Sequence, residues 1–267
     1  YYEGQFFPDL MVNEASHFIE DNTNNPFFMY FAVNMPHYPY QGDAKWLAYY
    51  KDKGVPYPRN LYAAFISTLD DRIGTLINKL DEFGIKDNTI IVFQSDNGHS
   101  TEQRAHFGGG NAGPYRGAKS SLFEGGIRVP AAITWPNKIQ KGAIRNQFGV
   151  NSDWMPTLAE LCGIKLDQLD LDGKSLVSVI DNEKEKTQHT EGYCWQYQDM
   201  WVARKGHWKL LGNPRDTSNK TYKLKEKRFL VNLDDDIGES ENLAKKYPNR
   251  VIELENQYIN WLKQNKN

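Results

Sequence analysis

Three stretches of this chain combine reactive side chains with backbone that fixes them in place. Ser95-Asp96-Asn97-Gly98 sets a carboxylate beside an amide on a tight turn. Two hard oxygen donors of this kind suit Ca²⁺ or Mg²⁺ and not a thiophilic metal. The same Asp-Asn-Gly string is also a common Asx turn that holds no ligand. Met35-Pro36-His37-Tyr38-Pro39 places an imidazole between two prolines. There His37 can hand a proton to a leaving group near neutral pH, or serve as an ordinary capping or core histidine. The third stretch runs from Arg116-Gly117-Ala118-Lys119 through Glu124-Gly125-Gly126-Ile127-Arg128 to Pro130. Its Lys119, among glycines and hydroxyls, can hold an oxyanion as a point charge. Glu124 and Arg128 are four apart and are expected to pair with each other. The string lacks the G-K-[ST] order of a phosphate-binding loop and the G-x-S-x-G of a serine hydrolase.

The elements around these stretches predict where they sit. Pro8 to Asp21 has helical spacing, with Leu10, Ala15, Phe18 and Ile19 on one face. Phe27 to Val33 is continuously apolar and reads as a strand buried on both faces, running straight into the His37 segment. A long helix follows Asn60, with Leu61, Phe65, Leu69, Ile73, Leu76 and Leu80 in its apolar stripe and Gly84 at its end. Thr89 to Gln94 is a second buried strand that ends in the Asp96 turn, and Pro130 to Trp135 a third. His99 to Gly117 is a long polar, glycine-rich loop of the kind that carries function. Helices alternating with strands predict an α/β fold with a mostly parallel sheet flanked by helices, with chemistry beyond the strands' carboxyl ends. Asp153 is expected to cap a further helix. After about residue 185 the pattern changes to alternating strands and a last helix from Pro248, a small antiparallel sheet covered by a helix. The expected organisation is therefore 1–185 and 186–267. His207 and the Trp-rich hairpin are expected in the core of the second unit, and His189, in a polar run, in solvent.

Composition removes other classes. Thirty-two Lys and Arg against 34 Asp and Glu give a net charge of -2, which argues against a nucleic-acid partner. The longest apolar run, 27–33, is far too short to span a bilayer. Cys162 and Cys194 are too few for a disulfide framework, and neither stands in a C-x-x-C pair that would hold zinc.

Taken together, the three stretches resemble the sulfatase family: a P-H-x-P turn, then S-D-N-G, then R-G-x-K-x-x-x-x-E-G-G-x-R-V-P, in that order and spacing. Ser152 to Leu158, Leu171 to Leu176, Arg204 to Leu210 and Leu233 to Leu243 are similar to later segments of the family, so the resemblance covers essentially the whole chain. It implies an alkaline phosphatase/sulfatase-like fold and hydrolysis of a sulfate ester, with a sulfated small molecule or glycan as substrate. It implies that Asp96 and Asn97 are ligands of Ca²⁺, with Mg²⁺ the alternative. Lys119 and His37 would face the bridging oxygen. His99, His106, Asn111 and Arg116 are candidates for substrate binding in the loop between. Export to the periplasm or out of the cell is also implied by the family.

One part of the family pattern is missing. Type I sulfatases use a formylglycine made from a C-x-P-S-R motif, and neither Cys162 nor Cys194 fits it. The family's N-terminal aspartate pair is not present either. The chain is thus expected to be the C-terminal portion of a sulfatase, with the formylglycine in the N-terminal half as its partner, and to be inactive alone. Two alternatives stand beside this reading: a phosphoesterase of the alkaline phosphatase superfamily, and a non-catalytic sulfatase-like binding module. The pair Asp96-Asn97, instead of Asp-His, favours a single hard metal and so the sulfatase.

Overall fold

The computed structural model describes residues 4–166, 169–218 and 222–265. The chain begins with α1 (Phe7–Asp21), which has Pro8 in its first turn, where a missing N–H costs nothing. α2 (Ala44–Asp52) and α3 (Arg59–Glu82) follow. Gly84, at φ 69°, takes the left-handed position that ends α3, as its place after the apolar stripe predicts. Then come β1 (Ile91–Gln94), the short α4 (Glu124–Ile127), β2 (Ala131–Thr134), α5 (Trp154–Leu161) and α6 (Val177–Asp181). The C-terminal part has β3 (Tyr193–Tyr197), β4 (Met200–Lys205), β5 (Trp208–Gly212), β6 (Arg215–Asp216), β7 (Tyr222–Lys223), β8 (Arg228–Asn232) and α7 (Pro248–Gln264).

The C-terminal expectation matches the observed elements. β3, β4, β5 and β8 form one antiparallel sheet in that order, and α7 lies against it. Tyr258 of α7 stacks on Trp201 of β4 with ring centroids 4.2 Å apart and planes 4° from parallel. The other face of the sheet packs Met200, Val202, Leu211, Phe229 and Val231 against Leu122 and Phe123, just ahead of α4. The loop that carries Lys119 is therefore anchored in the core between the two halves of the chain.

The N-terminal layer differs in two respects from the sequence reading. α1 and α3 pack through Val12, Ala15, Ile19, Leu76 and Leu80, with Phe27, Met29 and Phe31 laid against them. Residues 27–33 form no strand and belong to no ladder among the described residues, and only one face is covered. Phe28 is 76% and Tyr30 84% exposed. β1 pairs with β2, and that pair is antiparallel, so no parallel ladder forms among the described residues. A strand buried on both faces needs neighbours on both edges and a second covering layer. Here the helices supply only one.

Two histidine expectations are corrected. His189 is not solvated but buried, with Nε2 2.9 and 3.0 Å from the two carboxylate oxygens of Asp153. Asp153 also accepts the N–H groups of Val150 and Lys174, both at 2.8 Å. Its carboxylate thus joins three segments and is not aimed at the first turn of α5. His207 is not core: it lies exposed at the β4–β5 turn, 3.3 Å from the Asp234 carboxylate.

Candidate functional site

The turn at Asp96 leaves β1 and is tied at both ends to the Lys119 loop and its continuation. The Ser95 N–H donates to the Pro130 carbonyl at 3.3 Å and the Gly98 N–H to the Gly126 carbonyl at 2.9 Å. The Lys119 N–H donates to the His99 carbonyl at 2.8 Å. Close backbone approach makes this possible. A Cβ at Gly98 would lie 1.9 Å from the Gly125 carbonyl oxygen, and one at Gly126 2.2 Å from that of Ser121. Backbone on both sides cannot yield cheaply. Gly98→Ala is therefore expected to lower stability by about 1–3 kcal/mol, the usual cost of overpacking, seen as a drop in the urea midpoint with unchanged slope.

Within the turn, Asp96 Oδ1 accepts the Asn97 N–H at 2.9 Å and Oδ2 accepts the Asn97 amide Nδ2 at 2.5 Å. The side chain of Asp96 is exposed and that of Asn97 half-buried. These bonds reach only the next residue and not the N–H two residues on that defines an Asx turn, and they set the two hard oxygen donors side by side. Among the described residues no group of three or more His, Cys, Asp or Glu side chains could hold a metal. Asp96 and Asn97 fit a hard cation in donor type but are far fewer than the ~6–8 oxygens Ca²⁺ takes.

His37 is exposed, and its Nδ1 lies 2.8 Å from the Tyr38 carbonyl oxygen. A carbonyl only accepts, so Nδ1 carries hydrogen and Nε2 is the nitrogen free to exchange a proton. The Tyr38 hydroxyl donates to Glu102 Oε2 at 2.5 Å, and the Arg104 guanidinium lies over the Tyr38 ring. The Glu102 carboxyl is held below its ordinary range, first by the Tyr38 hydrogen bond and further by the charges of Lys119 and Arg104. Glu102 therefore links the His37 turn to the loop that carries His99, within the field of Lys119.

The remaining loop residues divide. His99 is half-buried, and a Cβ at Gly110 would lie 2.2 Å from its Cβ. Burial, and then the positive charge of Arg59, push its imidazole pKa down. Asn111 lines an open cavity of about 530 Å³ with Pro58, Arg59, Gly109, Gly110 and Gly113. His106 sits in an aromatic group, its Nδ1 2.7 Å from the Tyr57 hydroxyl and its ring 5.9 Å from Tyr40. Arg116 is not brought to the site. It donates to Asp216 at 2.6 Å and to the Glu239 carbonyl at 2.9 Å, and its guanidinium lies 4.3 Å from the Phe123 ring centroid.

Glu124 does pair with Arg128, at 3.6 Å, but a partner unseen in the sequence is closer. Lys209, fully buried on β5, lies 2.8 Å from Glu124 and 2.9 Å from the equally buried Glu239. Sequence reasoning also missed Tyr38, Glu102 and Arg59. Tyr38 and Glu102 stand 64 residues apart, and no local pattern announces such a bond.

Comparison with known proteins shows the family and the fold. Residues 2–164 match the family model described as Sulfatase, and residues 116–264 that described as N-sulphoglucosamine sulphohydrolase, C-terminal. A Sulfatase from Formosa agariphila is 30% identical over 96% of this chain and 50% of its own length. Arylsulfatase A from Bos taurus is 28% identical over 89% of the chain and 47% of its own. The chain spans about half the length of these curated relatives. Among solved structures, Ps i-CgsB in complex with k-i-k-neocarrahexaose superposes with a TM-score of 0.83 at 27% identity, covering 97% of this chain and 55% of that one. The expected α/β fold class, with its small C-terminal sheet and helix, is thus the fold of these structures.

Proposed function

Since the chain belongs to the sulfatase family, we propose that it is the C-terminal part of an enzyme that hydrolyses sulfate esters of a carbohydrate. The observation that supports this best is the packing of the Lys119 loop on the Asp96–Asn97 turn through the His99 and Gly126 carbonyls. It brings the backbone of Lys119 against the segment that carries the two hard oxygen donors. The carbohydrate substrate is supported by a relative held in complex with an oligosaccharide.

In this reading Asp96 and Asn97 give two of the oxygen ligands of a Ca²⁺. That ion and a formylglycine in the N-terminal half would together supply charge neutralisation and the nucleophile. Lys119 holds the negative charge that develops on the bridging oxygen as the S–O bond breaks. His37, in its doubly protonated form, gives the departing alkoxide the proton on Nε2 and is left with the hydrogen on Nδ1 that the Tyr38 carbonyl accepts. Glu102 orients the His37 turn through Tyr38. The N-terminal half also covers the open face of residues 27–33, where Phe28 and Tyr30 stand in solvent. Residues 1–185 complete the catalytic domain and 186–267 form the smaller unit. No helix among the described residues is long and apolar enough to cross a membrane, and export to the periplasm or beyond follows the family.

Sulfate release from a chromogenic ester tests this. The full gene product is expected to turn over with Ca²⁺ and to stop in chelator, while the isolated chain releases none. Turnover by the isolated chain would sink the two-part reading. Preference for the matching phosphate ester would establish the phosphoesterase instead, and silence toward both, with a retained Ca²⁺ site, the binding module.

A further inference from the structure

The open cavity beside the His99 loop is not used by the chemistry above. Its floor is the start of α3 and its rim is the Gly109–Gly113 backbone. Arg59 is its one cationic lining residue. The guanidinium is exposed; Nη1 donates to the Gly109 carbonyl at 2.7 Å, and the Tyr62 ring lies 5.7 Å away. No carboxylate pairs with Arg59 among the described residues, and the first turn of α3 contains no acidic residue. Most of the guanidinium's five donors therefore face solvent in a concave place.

The cavity adjoins the loop that follows the candidate site, since Gly109 to Gly113 of that loop form its rim. Gly110 packs on His99, and the carbonyl of His99 holds the Lys119 backbone. Asn111 adds an amide to the lining, its Oδ1 already accepting the Gly113 N–H at 2.6 Å, so its Nδ2 donors face outward from that bond. Two exposed rings, Tyr57 and Phe107, flank the lining residues in the chain and offer faces on which a sugar can stack.

We propose that this cavity is a subsite for a second anionic group on the substrate, in which Arg59 binds the sulfate or carboxylate carried by the sugar next to the one being desulfated. Planar, bidentate recognition of an oxyanion is what a free guanidinium does best. The inference rests on the sulfate-ester reading and deepens it: the preferred substrate is an oligosaccharide with charge on adjacent units, not a single sulfated sugar.

Calorimetry on the full gene product tests it with three disaccharides. All carry one sulfate on the first sugar; the neighbour is sulfated, or a uronic acid, or neutral. Wild type is expected to bind at least one anionic-neighbour probe about tenfold more tightly than the neutral one, with a margin that shrinks as salt rises. Which probe gains tells sulfate from carboxylate. Arg59→Gln keeps N–H donors for the Gly109 carbonyl but removes the charge, and should bring the ratio close to one. Arg59→Lys should recover part of it. A wild-type ratio near one, or an unchanged ratio in Arg59→Gln, overturns the subsite. Arg59-dependent binding without sulfate release from any probe overturns the esterase reading and leaves the subsite standing.

Discussion

Lys119→Ala is expected to lower sulfate-ester turnover of the full gene product by about 10²–10³-fold, the usual loss when one preorganised donor to a developing negative charge is removed. Lys119 is half-buried, and its backbone is fixed by the His99 carbonyl, so the loop that carries the ammonium is set before substrate arrives. Such a group adds little to the ground state, where the bridging oxygen carries scarcely any charge, and much to the transition state. The loss should therefore fall on kcat more than on KM. It should also depend on the alcohol. An alkyl sulfate, whose leaving oxygen takes on a full charge, should suffer far more than a nitrophenyl sulfate, whose ring disperses that charge. Equal losses on both esters would move Lys119 from the bridging oxygen to a non-bridging one. Lys119→Arg is not expected to restore the rate, because a planar fork does not place its charge where a compact ammonium does.

Lys209→Met should cost about 3–5 kcal/mol of stability, because it leaves two buried carboxylates facing each other without their cation. Lys209, Glu124 and Glu239 are all within 3% of complete burial. In the native protein burial opposes the Glu124 charge, yet Lys209, by charge and hydrogen bond, holds its carboxyl below the ordinary range. Burial, with Glu124 as a like charge, pushes Glu239 up in spite of Lys209. The Glu124 contribution is present above the unfolded glutamate pKa, about 4.3, and fades as pH falls through the lower folded value. Glu239 acts in the opposite sense, favouring the folded state as it gains a proton. Without Lys209 both carboxyls are raised. The folded state then binds more protons than the unfolded one, and stability falls as pH rises above about 4. The gap between Lys209→Met and wild type in urea denaturation should thus be wider at pH 7 than at pH 5. Adding Glu124→Gln and Glu239→Gln should close much of it. A pH-independent gap would mean that packing, and not charge, is what Lys209 supplies.

The same triad shows where sequence reading stops. Lys209 lies within an alternating strand pattern, and a lysine there is expected to point outward. Only the meeting of β5 with α4, 85 residues earlier in the chain, turns it inward and provides the acid to receive it. His189 follows the same logic. Its polar neighbours predict solvent, while its partner Asp153 stands 36 residues away and reaches it only once the chain has folded back. Residues 27–33 fail for the reverse reason. Their composition predicts two covered faces, and this chain brings helices to one.

What the sequence determined by itself is local. Helix limits such as Phe7–Asp21 follow from proline placement and periodicity, and the Asp96–Asn97 turn and the Lys119 loop follow from residue types that admit few backbone conformations. What only the tertiary structure decided is which polar and charged groups meet: Tyr38 with Glu102, Arg116 with Asp216, Lys209 with two glutamates. A turn is fixed by the sterics of three or four neighbouring residues, whereas an ion pair needs two side chains at hydrogen-bonding distance. Nothing in either partner's neighbourhood encodes the separation that packing alone closes.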